Sequence, residues 1–371
     1  MKKFCKIGGT LVALALFFSC ATQMADAKVA LTTTGELKAQ GITSSNMHIV
    51  SFSPDGRYLL AHAREPKNNN LRYLENVVYN IPIKSDNTIG KVKAYKIACP
   101  RIEQLAYTPD GKAVVITTKE GATFLKLDLA SGKVSTIMEH VNGQPGFRCY
   151  PNVFTSTADE LLIQGYFYDK DGYCGPNSIA VLDASKTGVE AFAYTADLDR
   201  AQLSTRKNYK TFAENYPAKD VGFMGMNSGH DWTCYVWNGG ETTKQFDKAK
   251  EFLGLWGGAN RLLYSVRRDN KNCDLIVYDG KTDKKFMLSE GRATPYMYLF
   301  LSGDGKTALF NDADDATSTT KLCYARESEG WEIKPIQGID KKIRTGPARI
   351  SFDGTKAAQH SRQGLRIVDV E

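Results

Sequence analysis

The stretch Phe52-Ser-Pro-Asp-Gly-Arg-Tyr58 decides the fold, because the chain returns to it in altered form. Pro54 presets φ for a turn, and Asp55-Gly56 supplies the positions that let one strand fold back on the next. Echoes stand at Tyr107-Thr-Pro-Asp-Gly-Lys112, Leu301-Ser-Gly-Asp-Gly-Lys306 and Phe352-Asp-Gly-Thr-Lys356, with a weaker one at Ser156-Thr-Ala-Asp-Glu160. Each lies between two apolar runs. From Asp55 to Asp353 is 298 residues, and six steps across it average about 50, which fits one four-stranded propeller blade.

A chain of 371 residues ordinarily divides into two or three domains, but a repeat array uses that length as one closed body. The expected fold is therefore all-β: a single β-propeller over residues 28–371, of seven blades with four antiparallel strands each, six or eight blades being the alternatives. The chain ends on Leu365-Arg-Ile-Val-Asp369, a third strand without a fourth. A strand within Lys28 to Gln40 is expected to complete that blade and close the ring, which removes exposed sheet edges. Blade four is the hardest to place. Trp232-Thr-Cys-Tyr-Val-Trp237 aligns with Leu275-Ile-Val-Tyr278 as a third strand, which puts the first strand of blade four within Ala201 to Phe212.

Residues 1–27 have the parts of an export signal: Lys2, Lys3 and Lys6, an apolar core from Leu11 to Phe18, then small residues. Two processing routes compete. Ala25-Asp26-Ala27 matches a release site, whereas Phe17-Phe18-Ser19-Cys20 resembles a lipobox that would leave Cys20 lipidated. Removing this segment takes three lysines and one aspartate from 48 basic and 41 acidic residues, leaving a net charge of +5. With no basic run interleaved with aromatics, nucleic acid is not an expected partner.

The motif Ser/Thr-Pro-Asp-Gly-Arg/Lys before an apolar strand resembles the WD-like repeats of TolB-type periplasmic propellers, over most of residues 48–371. The resemblance implies the fold and says little about function, because propellers host scaffolds, binding proteins and enzymes alike. No counterpart is read here of the α/β domain that precedes the TolB propeller, nor of the hydrolase domain of prolyl oligopeptidase relatives.

If the Asp-Gly turns form one rim, the loops joining second to third strands, and blade to blade, form the opposite and binding face. All five histidines, His48, His62, His140, His230 and His360, map to that face. So do Arg64, Arg148, Arg268 and Arg292, with Tyr168 and Tyr296 beside them. The expected ligand-binding set is Arg64, Arg148, Tyr168, His230, Arg268, Arg292, Tyr296 and His360. The leading reading is a non-enzymatic exported propeller, periplasmic or lipid-anchored, that binds an envelope protein or glycan through this face. The alternative is a carbohydrate-active lyase or hydrolase, by analogy with seven-bladed polysaccharide lyases, in which His or Tyr takes a proton beside a uronic carboxylate that Arg or a metal neutralises. No His-x-His or His-Glu-x-x-His spacing points to a metal, and no cofactor is expected. Asp169-Lys-Asp171-Gly172 and Asp312-Ala-Asp314-Asp315 read as turn chemistry rather than calcium loops, because the final glutamate is missing. Six cysteines follow residue 27, none in C-x-x-C. Of these, Cys149 and Cys174 are expected to form a disulfide that ties down the blade-three insertion.

Overall fold

The computed structural model describes residues 28–42, 47–67, 70–118, 123–139, 141, 143–156, 161–171, 178–197, 209–211, 222–227, 232–237, 243–258, 260–294, 296–314, 319–336 and 348–371. It opens with β1 (Val29–Thr33) and the short helix α1 (Thr34–Ala39). Among the described residues the strands then form seven four-stranded antiparallel sheets. Sheet one holds β2 (His48–Phe52), β3 (Tyr58–Lys67), β4 (Asn70–Pro82) and β5 (Lys93–Ile97); sheet two holds β6 (Gln104–Tyr107), β7 (Ala113–Thr118), β8 (Thr123–Asp128) and β9 (Val134–Met138). Sheet three holds β10 (Gly146–Ser156), β11 (Leu161–Tyr168), β12 (Ser178–Leu182) and β13 (Phe192–Asp197). Sheet four holds β14 (Tyr209–Thr211), β15 (Gly222–Asn227), β16 (Trp232–Trp237) and β17 (Thr243–Ala249). Sheet five holds β18 (Glu251–Gly258), β19 (Arg261–Arg267), β20 (Cys273–Asp279) and β21 (Lys284–Arg292). Sheet six holds β22 (Met297–Leu301), β23 (Thr307–Asp314), β24 (Thr319–Arg326) and β25 (Ile333–Pro335). Sheet seven holds β26 (Arg349–Ile350), β27 (Lys356–Ser361), β28 (Gly364–Asp369) and, as its outer strand, β1.

The Asp-Gly turns explain why this sequence folds back where it does. Ser53 Oγ donates to Asp55 Oδ1 at 2.6 Å and accepts from the Tyr58 amide at 3.0 Å, while Asp55 accepts the Arg57 amide and Gly56 sits at φ 70°. Thr108 and Asp110, Ser302 and Asp304, and Ser351 and Asp353 repeat that hydroxyl-to-carboxylate bond, each at 2.6 Å, with glycines at φ 67°, 71° and 72°. The hydroxyl two residues before the aspartate is thus as much a part of the repeat as Asp-Gly itself. It occupies polar groups that the reversal would otherwise leave unpaired.

Sheets pack face to face, and that sets the burial along each blade. Every residue of β7 and β20 is buried, whereas the fourth strands β9 and β21 are largely exposed. Middle strands covered on both faces read as continuous apolar runs, as a sheet sandwiched between neighbours requires. Apolar clusters join sheet one to two, two to three, four to five, five to six, six to seven, and seven back to one. The first strands lie innermost: β2 touches both β6 and β26, β6 touches β10, and β22 touches β18 and β26. Several of them bulge midway, with register shifts in β2 at Ile49/Ser51, in β10 at Cys149/Phe154, in β18 at Phe252/Gly254 and in β22 at Met297/Phe300.

The N-terminal strand pairs with β28 from Val29 against Val368 to Thr33 against Gly364. It stops earlier than the reading over Lys28 to Gln40 implies. Thr33 caps α1 and Glu36 returns the bond to the Thr33 amide at 2.7 Å, a capping box that turns the chain into helix. A second difference lies at Arg64 to Arg72, read as a loop. The β3 and β4 strands continue pairing past Arg64, opposite Asn76, so Arg64 stands on an extended hairpin. Glu65 beside it is buried and accepts from the Tyr79 hydroxyl at 2.6 Å, so the start of this ribbon is still covered.

Candidate functional site

Strand direction puts the N-terminal ends of the first strands, and the C-terminal ends of the second, on the face opposite the Asp-Gly turns. His48 opens β2 and stands opposite His62 of β3, with ring centroids 5.5 Å apart. His360, near the end of β27, reaches the same place from sheet seven: its imidazole hydrogen-bonds the Met47 backbone and feels the charge of His48. Arg101, exposed on the connection into β6, acts on His62. Burial, then the charges of His48 and Arg101, push His62 down to about 4, and burial also lowers His360 despite the opposing Met47 bond. At neutral pH both imidazoles are therefore neutral, each with a donor and an acceptor nitrogen, and His62 in addition feels the permanent charge of Arg101.

A second cluster sits at the same end of sheet three. Arg148 lies opposite Tyr166, and Tyr168 crosses the β10 backbone so closely that a Cβ at Gly146 would fall 2.1 Å from its hydroxyl. Burial and the neighbouring Tyr166 raise the Tyr168 phenol, and the Arg148 charge opposes them.

Two of the expected binding cations are not free exposed loop residues. Arg268 donates to Asp247 and Asp274, each at 2.8 Å, and those carboxylates are buried. Burial works against the Arg268 cation, but the two aspartates outweigh it and raise its pKa. Asp247 also accepts from the Tyr264 hydroxyl at 2.7 Å. Arg292 is paired with Asp312 and lies over the Tyr296 ring at 4.4 Å. Tyr296 is accordingly 8% exposed, with its ring edge against Phe310. These groups hold the face together, a correction that follows from tertiary neighbours supplied by other strands. Asp312 lies on β23 rather than in a loop, and Asp169 accepts the Asp171 amide at 2.9 Å as turn chemistry predicts.

His140, His230 and Cys174 lie outside the described residues, as does the side chain of Cys149, so the disulfide is not among the described features. Among the described residues, no group of three or more His, Cys, Asp or Glu could hold a metal ion. The expected set omitted His48, His62 and Arg101. Pairing His48 with His62 was within reach of the sequence, since the first hairpin aligns one with the other; Arg101 carried no local signal.

No protein-family model and no curated protein sequence matches the chain. Solved structures do. An oligogalacturonate lyase in complex with manganese is similar over 93% of this chain and 91% of its own, at 10% identity and a TM-score of 0.56. The β-propeller domain of the trilobed protease from Pyrococcus furiosus, which has an open velcro topology, is similar over 87% of this chain and 94% of its own, at 14% identity and a TM-score of 0.54. TolB from Acinetobacter baumannii is matched over 78% of this chain and 63% of its own, at 12% identity and a TM-score of 0.40. At such identities the likeness concerns the fold alone, and the first two of these structures support the β-propeller fold.

Proposed function

We propose that this protein is an exported, non-enzymatic propeller that binds an acidic ligand of the cell envelope on the face opposite its Asp-Gly turns. The observation that carries the reading is the group of His48, His62 and His360 with Arg101, drawn from sheets one, seven and two to one end of the innermost strands. A permanent cation beside neutral imidazoles offers charge pairing together with donors and acceptors, the chemistry that recognises a carboxylate carried on a hydroxylated frame. Exposed Arg64 adds a further cation on the same face. We further infer a closed ring of seven blades: sheet one packs on sheet seven, and β1 fills the outer edge of the last sheet. Export rests on residues 1–27, with release after Ala27 or lipidation at Cys20. No helix among the described residues is long and apolar enough to cross a membrane.

A screen of the purified protein against acidic and neutral polysaccharides tests the reading. Binding of acidic glycans that Arg101→Glu abolishes supports it; binding that ignores this change opposes it. Capture of an envelope protein, with no glycan bound, would assign the face to a protein partner.

A lyase reading has one observation in its favour. Neutral imidazoles beside a cation are also what proton abstraction next to a carboxylate requires. An imidazole near pKa 4 is a weak base, which sets His62 behind His360 for that role. Appearance of unsaturated uronic products, with or without divalent metal, decides between binding and turnover.

A further inference from the structure

Tyr298 has a backbone conformation that a bulky side chain rarely adopts, at φ 51°, and its side chain is 45% exposed. It sits in the bulge of β22, the innermost strand of sheet six, between Met297 and Phe300. Its neighbours Leu299 and Phe300 are buried at 5% and 6%. Left-handed backbone at an aromatic residue is unfavourable, and an exposed ring does not repay it by burial. Glycine would meet the backbone demand without strain.

The surroundings of Tyr298 connect it to the histidine cluster. Arg349 of β26 lies over the Phe300 ring at 4.5 Å and donates to the Val50 carbonyl at 2.7 Å, which the β2 bulge leaves outside the β2–β3 pairing. Arg349 thereby fixes the inner strands of sheets six and one on either side of sheet seven. Tyr298 stands two residues before Phe300, and His48 two residues before Val50, at the same end of those strands. On the other side of Tyr298, Arg292, paired with Asp312, lies over the Tyr296 ring.

We propose that Tyr298 is the stacking platform for a sugar ring of an oligosaccharide containing uronic acid that binds on this face. The inference rests on the glycan reading above and adds the residue that selects a flat pyranose face. An aromatic ring held in place loses little freedom on binding, and the exposed CH groups of a pyranose supply the complementary apolar patch.

Binding of short polygalacturonate and alginate oligomers, and of neutral oligosaccharides of equal length, is measured by calorimetry for the parent, Tyr298→Phe, Tyr298→Gly and Arg101→Gln. The expected result is binding of at least one acidic oligomer by the parent, little change with Tyr298→Phe, and about tenfold or greater weakening with Tyr298→Gly. Tyr298→Gly should melt no lower than the parent, because glycine accepts this φ, so lost binding is separated from lost folding. If Arg101→Gln weakens binding while Tyr298→Gly leaves it unchanged, the platform is refuted and the acidic-ligand reading stands. Binding of none of the oligomers by the folded parent refutes both. A Tyr298→Gly protein that melts well below the parent assigns the ring a structural role and overturns the proposal.

Discussion

Asn87 offers a direct test of how the two ends of the chain are joined. It lies on the connection between β4 and β5 of sheet one, is 1% exposed and sits at φ 64°. Its Nδ2 donates to the Lys28 carbonyl at 2.6 Å and to Asp369 Oδ1 at 3.0 Å, and its Oδ1 accepts from Lys356 Nζ at 2.5 Å. One amide thus joins sheet one to the residue before β1, to β27 and to the end of β28. Lys356 and Asp369 keep their own bond at 2.7 Å when the amide is removed, so those charges stay paired. The losses in Asn87→Gly are then about 1 kcal/mol for each of two or three bonds, or about 2 to 3 kcal/mol. Asn87→Ala adds about 1 kcal/mol for a left-handed Cβ. Urea denaturation followed by tryptophan fluorescence and circular dichroism, with coincident transitions as the check on two-state behaviour, gives both values. In protein lacking residues 28–33 the cost of Asn87→Gly should shrink, because one acceptor has gone. Equal stability of parent and both variants would refute the clasp, and an unchanged cost in the truncated protein would refute its link to the N-terminal strand.

Deleting residues 28–33 should lower the urea midpoint of the whole protein and increase self-association, since it uncovers the outer edge of sheet seven; a truncated protein that is monomeric and melts like the parent would oppose this. Arg268→Ala should cost about 2 to 4 kcal/mol by removing the guanidinium that neutralises the buried Asp247 and Asp274, and Arg268→Glu more, which denaturation measures; a cost under about 0.5 kcal/mol would make the residue an ordinary surface cation. His62 has a folded-state value near 4 against 6.5, so the unfolded chain takes its proton first and stability falls as pH drops from about 6.5 towards 4. Allowing for solvent screening the contribution is about 1 to 2 kcal/mol, and His62→Gln should flatten that part of the stability profile; an identical profile in the variant would refute it.

Most of the architecture was legible because it is written in local chemistry. Arg261–Arg267 falls on the strand read there, the first strand of sheet four lies within the range assigned to it, and Trp232–Trp237 is a third strand. The first and last follow from apolar runs, and the strand of sheet four from the alignment of Trp232–Trp237 as a third strand. The helix after Thr33 also had a signal, Thr33-Thr-Gly-Glu36, which a strand reading of the segment passed over. Burial of Tyr296 and engagement of Arg292 had none, since their partners come from residues up to 20 positions away in sequence.

By itself the sequence determined the repeat: a hydroxyl, an aspartate and a glycine closing a hairpin depend only on neighbours within five residues, so the same letters make the same turn wherever they recur. It also determined which face would carry His48, His62 and His360, because strand direction alternates by rule. Only the tertiary structure decided which charged groups on that face are spoken for. Arg268 and Arg101 are alike in sequence, yet one is held by two buried carboxylates and the other stays exposed beside His62. The difference arises from contacts between separate strands and sheets, whose distances no local pattern encodes, and the same holds for the backbone that the β22 bulge imposes on Tyr298.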